Sequence, residues 1–83
     1  MAGTPVKVQI DYCAECGYDH EALGLAGVLL KEFHFYLSGV TIVPAQDGAY
    51  DVKVDGELVH SMYRDGGFGD HDQIIAAVRR KLA

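Results

Sequence analysis

The sequence predicts an α/β fold, with a mixed four-stranded sheet and both helices packed on one face of it. Three observations carry this prediction. Apolar and polar residues alternate over residues 6–11 and 50–54, so one face of the sheet is apolar and the other meets solvent. Apolar residues recur at helical spacing between about residues 19 and 37 and again over residues 74–82. Asp55-Gly56 lies between two strand-like stretches and supplies the residue types of a tight type I′ hairpin turn.

Val6, Val8 and Ile10 alternate with Lys7, Gln9 and Asp11, which makes the first strand. The first helix runs from about Asp19 to Leu37, with Ala22, Leu25, Ala26, Leu29, Phe33 and Tyr36 on its apolar face. Gly24 and Gly27 each weaken it by roughly 1 kcal/mol relative to alanine, a cost that close approach to the sheet would explain. Ser38-Gly39 ends the helix, and Val40-Thr41-Ile42-Val43 forms a second strand stopped by Pro44.

After a loop at residues 45–48, Tyr50, Val52 and Val54 alternate with Asp51 and Lys53 as the third strand. The fourth runs from Glu57 to about Tyr63. A two-residue turn then sets Val52 opposite Val59 and Tyr50 opposite Ser61 on the inner face, and Asp51 opposite His60 as a surface pair on the outer face. Leu58 and Met62 share that outer face and offer a surface for weak homodimerisation. The glycine-rich loop Asp65-Gly66-Gly67-Phe68-Gly69 precedes the last helix. There Asp70 with Gln73 resembles a capping box, and Ile74, Ile75, Val78 and Leu82 form the buried stripe.

The order is therefore β-α-β-β-β-α. A right-handed crossover makes strands one and two parallel, and the hairpin makes three and four antiparallel. This is a minimal thioredoxin-like, two-layer arrangement. Its strand directions bring three loops to one end of the sheet: residues 13–18, 44–49 and 64–69. Ligands bind at such strand ends in open α/β sheets.

Eighty-three residues make one domain, spanning 1–83, and 49% hydrophobic with 23% charged residues suits a folded chain. It is too small to enclose a haem, flavin or dinucleotide and still keep a core. A net charge of −5 argues against nucleic acid or an anionic membrane as partner. Arg79-Arg80-Lys81 falls where cations complement the end of a helix dipole. Residues 1–5 lack the basic start and apolar run of a secretory signal, and no apolar stretch is long enough to span a bilayer. One cysteine pair in that context reads as a cytoplasmic redox or metal pair.

That pair is Cys13-Ala14-Glu15-Cys16, between the first strand and the first helix. A C-x-x-C at such a junction lets a disulfide close and reopen on one turn of backbone, and a nearby helix N-terminus favours the thiolate. Two inert thiols are the bland alternative. Structural zinc is a sharper one, with His20 one helical turn beyond Cys16 and His34 further on, but no second ligand pair completes the usual four. No metal is expected. Tyr12, Tyr18 and Phe68 flank the crevice where the loops meet, as an apolar rim for a partner or as part of the small core. Gly17, Gly48 and Gly67 lie in the same three loops.

Three blocks resemble the selenoprotein W-like proteins, the Rdx group related to selenoproteins T and H. They are residues 8–18 (Val-Gln-Ile-Asp-Tyr-Cys-Ala-Glu-Cys-Gly-Tyr), residues 52–61 and Gly66-Gly67-Phe68; with the spacing of Pro44 and Gly48 they cover nearly the whole chain. The resemblance implies a thioredoxin-like fold and a thiol-redox role, with glutathione and partner proteins bearing reducible disulfides or reactive thiols as interactors; from the chain's small size, no bound cofactor is expected. In selenoprotein W the position of Cys16 is selenocysteine. The chain departs from the family pattern with sulfur at Cys16, Gly69 where many bacterial relatives have proline, and Met62 where a basic residue is frequent.

Two functions follow as expectations: a small thiol-disulfide oxidoreductase, or a redox-sensing interaction module without turnover. Helix electrostatics favours Cys13 as the attacking thiol, nearest the helix start and the more exposed. The resemblance favours Cys16, particularly for glutathione or peroxide adducts.

Overall fold

The computed structural model describes residues 5–82, so the reading of the N-terminus as free of a secretory signal concerns residues that lie largely outside it. In order, the elements are β1 (Val6–Cys13), α1 (Asp19–Phe33), a 3₁₀ turn (His34–Tyr36), β2 (Leu37–Ala45), β3 (Tyr50–Val54), β4 (Glu57–Ser61), α2 (Met62–Asp65) and α3 (His71–Leu82). The sheet order is β2-β1-β3-β4, with β1 parallel to β2 and antiparallel to β3, and β3 antiparallel to β4. Both long helices cover one face. This is the expected thioredoxin-like, mixed four-stranded architecture.

The core lies between that face and the helices. Val6, Val8 and Ile10 of β1 and Val52 and Val54 of β3 meet Leu25 and Leu29 of α1 and Ile74 and Val78 of α3, all buried. Each such side chain contributes about 1.5–3 kcal/mol by leaving water. The open face carries Gln9, Asp11 and Lys53; the Gln9 amide donates to Asp11 at 2.9 Å and Lys53 pairs with Asp11 at 3.3 Å. Among the described residues no helix is long and apolar enough to cross a membrane.

Four sequence expectations need correction. The first concerns the end of α1, which stops at Phe33 rather than Leu37, because His34 takes φ 49° and breaks the helical path. Leu37 then pairs with Val6, and Tyr36, expected on the buried stripe, stands exposed beside Phe35. Second, Gly24 and Gly27 lie on the exposed face of α1, and a Cβ at either would meet nothing within 4 Å, so they allow no approach to the sheet. Third, β2 continues through Pro44 to Ala45. It is an edge strand, where the missing N–H of proline faces no partner.

The fourth correction is the register of β4. Val54 faces Glu57 and Lys53 faces Leu58, but Val52 faces His60 and Asp51 faces Ser61. Val59 is the extra residue of a β-bulge, which turns the rest of the strand over. His60 therefore points inward and is buried, not paired with Asp51 on the surface. Asp51 instead sits opposite Asp11, with its Oδ1 buried and unpartnered among the described residues. The strand ends at Ser61, and Met62 opens a one-turn helix and packs half-buried against the core. It no longer shares the outer face with Leu58. On α3, Ala77 joins Ile74 and Val78 as buried, while Ile75 and Leu82 are half-buried.

Candidate functional site

Cys13 is the last residue of β1, and its backbone is tied on two sides. Its N–H donates to the Ala49 carbonyl at 2.7 Å, and its carbonyl accepts from Tyr18 N–H at 3.3 Å. Ala14 N–H donates to the Ala45 carbonyl at 3.1 Å. The C-x-x-C segment is thereby fastened to the 45–49 loop, in which Gly48 takes φ 74°. Gly17, at φ 75°, turns the chain into α1, where Tyr18 is the N-cap residue.

Cys13 and Cys16 are paired as a disulfide, with Cα atoms 5.3 Å apart. Their surroundings differ. Cys13 is 1% exposed, whereas Cys16 stands exposed in the turn before the helix. This reverses the expected exposures. The strand runs on through Cys13 by pairing with Ala45, and α1 starts only at Asp19, three residues beyond Cys16. Asp19 and Glu21 occupy the first helical turn, so side-chain carboxylates already complement the helix dipole there.

The 64–69 loop arrives beside the cysteine segment, as the strand directions require. Phe68 stands edge-on to Tyr18 and to Tyr50, both with ring centroids 4.9 Å away. Such edge-to-face pairs add about 0.5–1.5 kcal/mol each beyond area burial. Behind them, Tyr50 is edge-on to His60 at 6.2 Å, and the His60 Nε2–H donates to the Gly67 carbonyl at 2.9 Å. The Tyr63 hydroxyl of α2 donates to the Asp47 carbonyl, closing the third side.

The residues that the sequence singles out for the site thus fall at one end of the sheet. Cys13, Cys16 and Gly17 form the turn, Gly48 lies in the loop bonded to it, and Gly67 and Phe68 lie in the loop stacked on Tyr18. Tyr12 is half-buried at the end of β1, opposite Tyr50 and Pro44. Tyr12, Tyr18 and Phe68 all pack against the core, so the aromatic rim also holds the loops in place.

Two residues of this cluster escape a reading of the sequence. Alternation puts Tyr50 on the inner face, but nothing in it points to the ring that Phe68 rests on. His60 is hidden by the bulge. Burial of Tyr50, helped by the nearby Glu21 charge, pushes its phenol up to about 12. Its hydroxyl reaches the Glu21 carbonyl at 3.4 Å, joining sheet to helix.

Comparison with known proteins agrees with this geometry. The chain is 36% identical over 83 residues to selenoprotein W of Danio rerio, covering 93% of this chain and 95% of that protein. It is 31% identical over 81 residues to migration and invasion enhancer 1 of Mus musculus, covering 95% of this chain and 67% of the mouse protein. The crystal structure of a selenoprotein W-related protein from Vibrio cholerae superposes with a TM-score of 0.93 at 21% identity, covering 96% of this chain and all of that one, which is a likeness of fold. The Rdx family model matches residues 7–80. With nearly the whole chain matched in sequence and its fold shared, this protein belongs to the Rdx family.

Proposed function

We propose that the protein is a small thiol-disulfide redox protein in which Cys16 attacks and Cys13 resolves. The observation that carries this reading is the asymmetry of the pair, an exposed Cys16 bonded to a buried Cys13 where three loops meet. In the reduced protein the Cys16 thiolate attacks one sulfur of a substrate disulfide. A mixed disulfide forms and the other substrate thiolate leaves. The Cys13 thiolate then attacks Cys16 sulfur, the second substrate thiolate leaves, and the Cys13–Cys16 disulfide closes. Two electrons pass to the substrate, and a thiol reductant such as glutathione returns them. A cytoplasmic setting, with its thiol pool, suits such a cycle.

This reading takes Cys16 in preference to Cys13, the expected attacker, because a buried sulfur is a poor first nucleophile and a well-placed second one. A partner protein would meet Cys16 beside the aromatic rim of Tyr18 and Phe68. A second reading, a redox sensor without turnover, is favoured by the two backbone hydrogen bonds from residues 13 and 14 to the 45–49 loop, through which opening the disulfide would be felt.

The test uses Cys13→Ser and Cys16→Ser with glutathione disulfide at neutral pH. The variant that keeps only Cys16 is expected to form the mixed disulfide roughly tenfold faster or more, since exchange follows thiolate access. Faster trapping by the variant that keeps only Cys13 would overturn the assignment. Multiple turnovers with a disulfide substrate would separate the reductase from the sensor.

A further inference from the structure

A cleft of about 540 Å³ opens between β4, α2 and α3, lined by Val59, His60, Arg64, Gln73, Ala77 and Arg80 among others. Gln73, Ala77 and Arg80 are spaced to share one face of α3. The volume is that of a small-molecule site, about 300–1,000 Å³. Val59, Ala76 and Ala77 give it a small apolar patch in a lining that is otherwise mostly polar and includes the Asp65 carboxylate.

Its polar groups are not equally available. Arg64 is committed, its Nε and Nη2 both donating to the Asp65 carboxylate at 2.9 Å. The His60 ring is buried and donates to Gly67. Arg80 differs from its neighbours: Arg79 pairs with Glu32 and Lys81 with Glu57, but among the described residues no carboxylate pairs with Arg80. A guanidinium with no ion-pair partner beside that patch offers a forked donor to an oxyanion, although the nearby Glu57 and the net charge of −5 weaken its pull on anions.

We propose that this cleft binds a small molecule bearing an oxyanion, carboxylate or phosphate, on a short apolar stem. Arg80 takes the oxyanion in a forked hydrogen bond, and the stem lies over Val59, Ala76 and Ala77. The Gly66 and Gly69 backbone forms the opposite wall. Gly69 approaches His60 so closely that a Cβ there would lie 2.8 Å from the ring. Phe68, in the same loop, touches Tyr18 two residues beyond Cys16. The cleft and the cysteine pair thus border the same 66–69 loop. The proposal stands apart from the redox reading and does not depend on it.

The test is an amide chemical-shift titration of the full chain with hexanoate and with hexyl phosphate, and with hexylammonium as the opposite charge on the same stem. Saturable shifts are expected at Val59, Ala76, Ala77, Arg80 and residues 66–69 with the anions and not with the cation. The tighter of the two anions identifies the oxyanion. Arg80→Met, which keeps the helix and the stem length, is expected to weaken binding about tenfold or more. Ala76→Leu, at an exposed position, fills the cleft and abolishes binding while the dispersed spectrum is retained. The proposal is overturned if neither anion saturates with a Kd below about 10 mM, if hexylammonium binds equally well, or if folded Arg80→Met binds as tightly as the parent.

Discussion

At the scale of single residues, the site depends on side chains whose burial is set by neighbours distant in sequence. Cys13 and Cys16 are legible as a close pair at a strand-to-helix junction, which the structure bears out, but their exposures are not legible. Those depend on how far β1 runs and where α1 begins, and element boundaries are the part of a fold that residue patterns locate least well. Tyr50 can be tested directly. Its phenol is raised above the ordinary 10.0 to about 12, first by burial and then by Glu21. A raised value means that the folded state favours the neutral phenol. The associated stability is complete below about pH 10 and is lost as pH rises through about 12. Absorbance of phenolate near 295 nm should show a late-ionising tyrosine, and Tyr50→Phe should remove that step. A titration unchanged by Tyr50→Phe would contradict the buried placement.

At the scale of elements, the apolar periodicities locate every strand and both long helices. The type I′ turn is as expected, with Asp55 at φ 51° and Gly56 at φ 85°, and Asp55 Oδ1 also accepts from Lys7 N–H at 2.9 Å. The bulge at Val59 is not legible, because period-2 reasoning carries a register forward until something interrupts it, and an inserted residue leaves no compositional mark. The one-turn α2 escapes for a related reason. It is held by contacts from outside its own residues, such as Asp65 Oδ2 accepting from Ser61 N–H at 3.1 Å and Tyr63 reaching Asp47. The 66–69 loop provides the test at this scale. Gly69 has φ 77° and no room for a Cβ beside His60. Gly69→Ala should destabilise the protein by about 1–3 kcal/mol, read as a lower denaturant midpoint with an unchanged slope. A midpoint equal to that of the parent would mean that the loop does not close on His60.

At the scale of the whole molecule, the convergence of three loops is legible because it follows from strand direction and not from register. The bulge moves His60 from one face to the other without moving the end of the sheet at which the loops meet. The electrostatics also act at this scale. Lys81 holds the Glu57 carboxyl below its usual 4.5, chiefly through their hydrogen bond, and Arg64 does the same for Asp65 below 3.8. Folded values below the unfolded ones give stability that is present above those ordinary values and lost as pH falls through the folded ones. The melting temperature should therefore fall as pH drops below about 4.5. Lys81→Met should flatten the fall, and added salt should weaken the effect because both carboxylates are exposed. An identical profile in Lys81→Met would remove that ion pair from the account.

The claim on which the functional account rests is that Cys13 and Cys16 exchange electrons as one reversible dithiol. The most direct measurement equilibrates the folded protein across a series of thiol redox buffers, alkylates the free thiols and records intact mass. Two dominant masses are expected, with both thiols alkylated or neither, interconverting in a single two-electron transition. Both thiols remaining alkylatable at every potential, even after treatment with diamide, would contradict that claim.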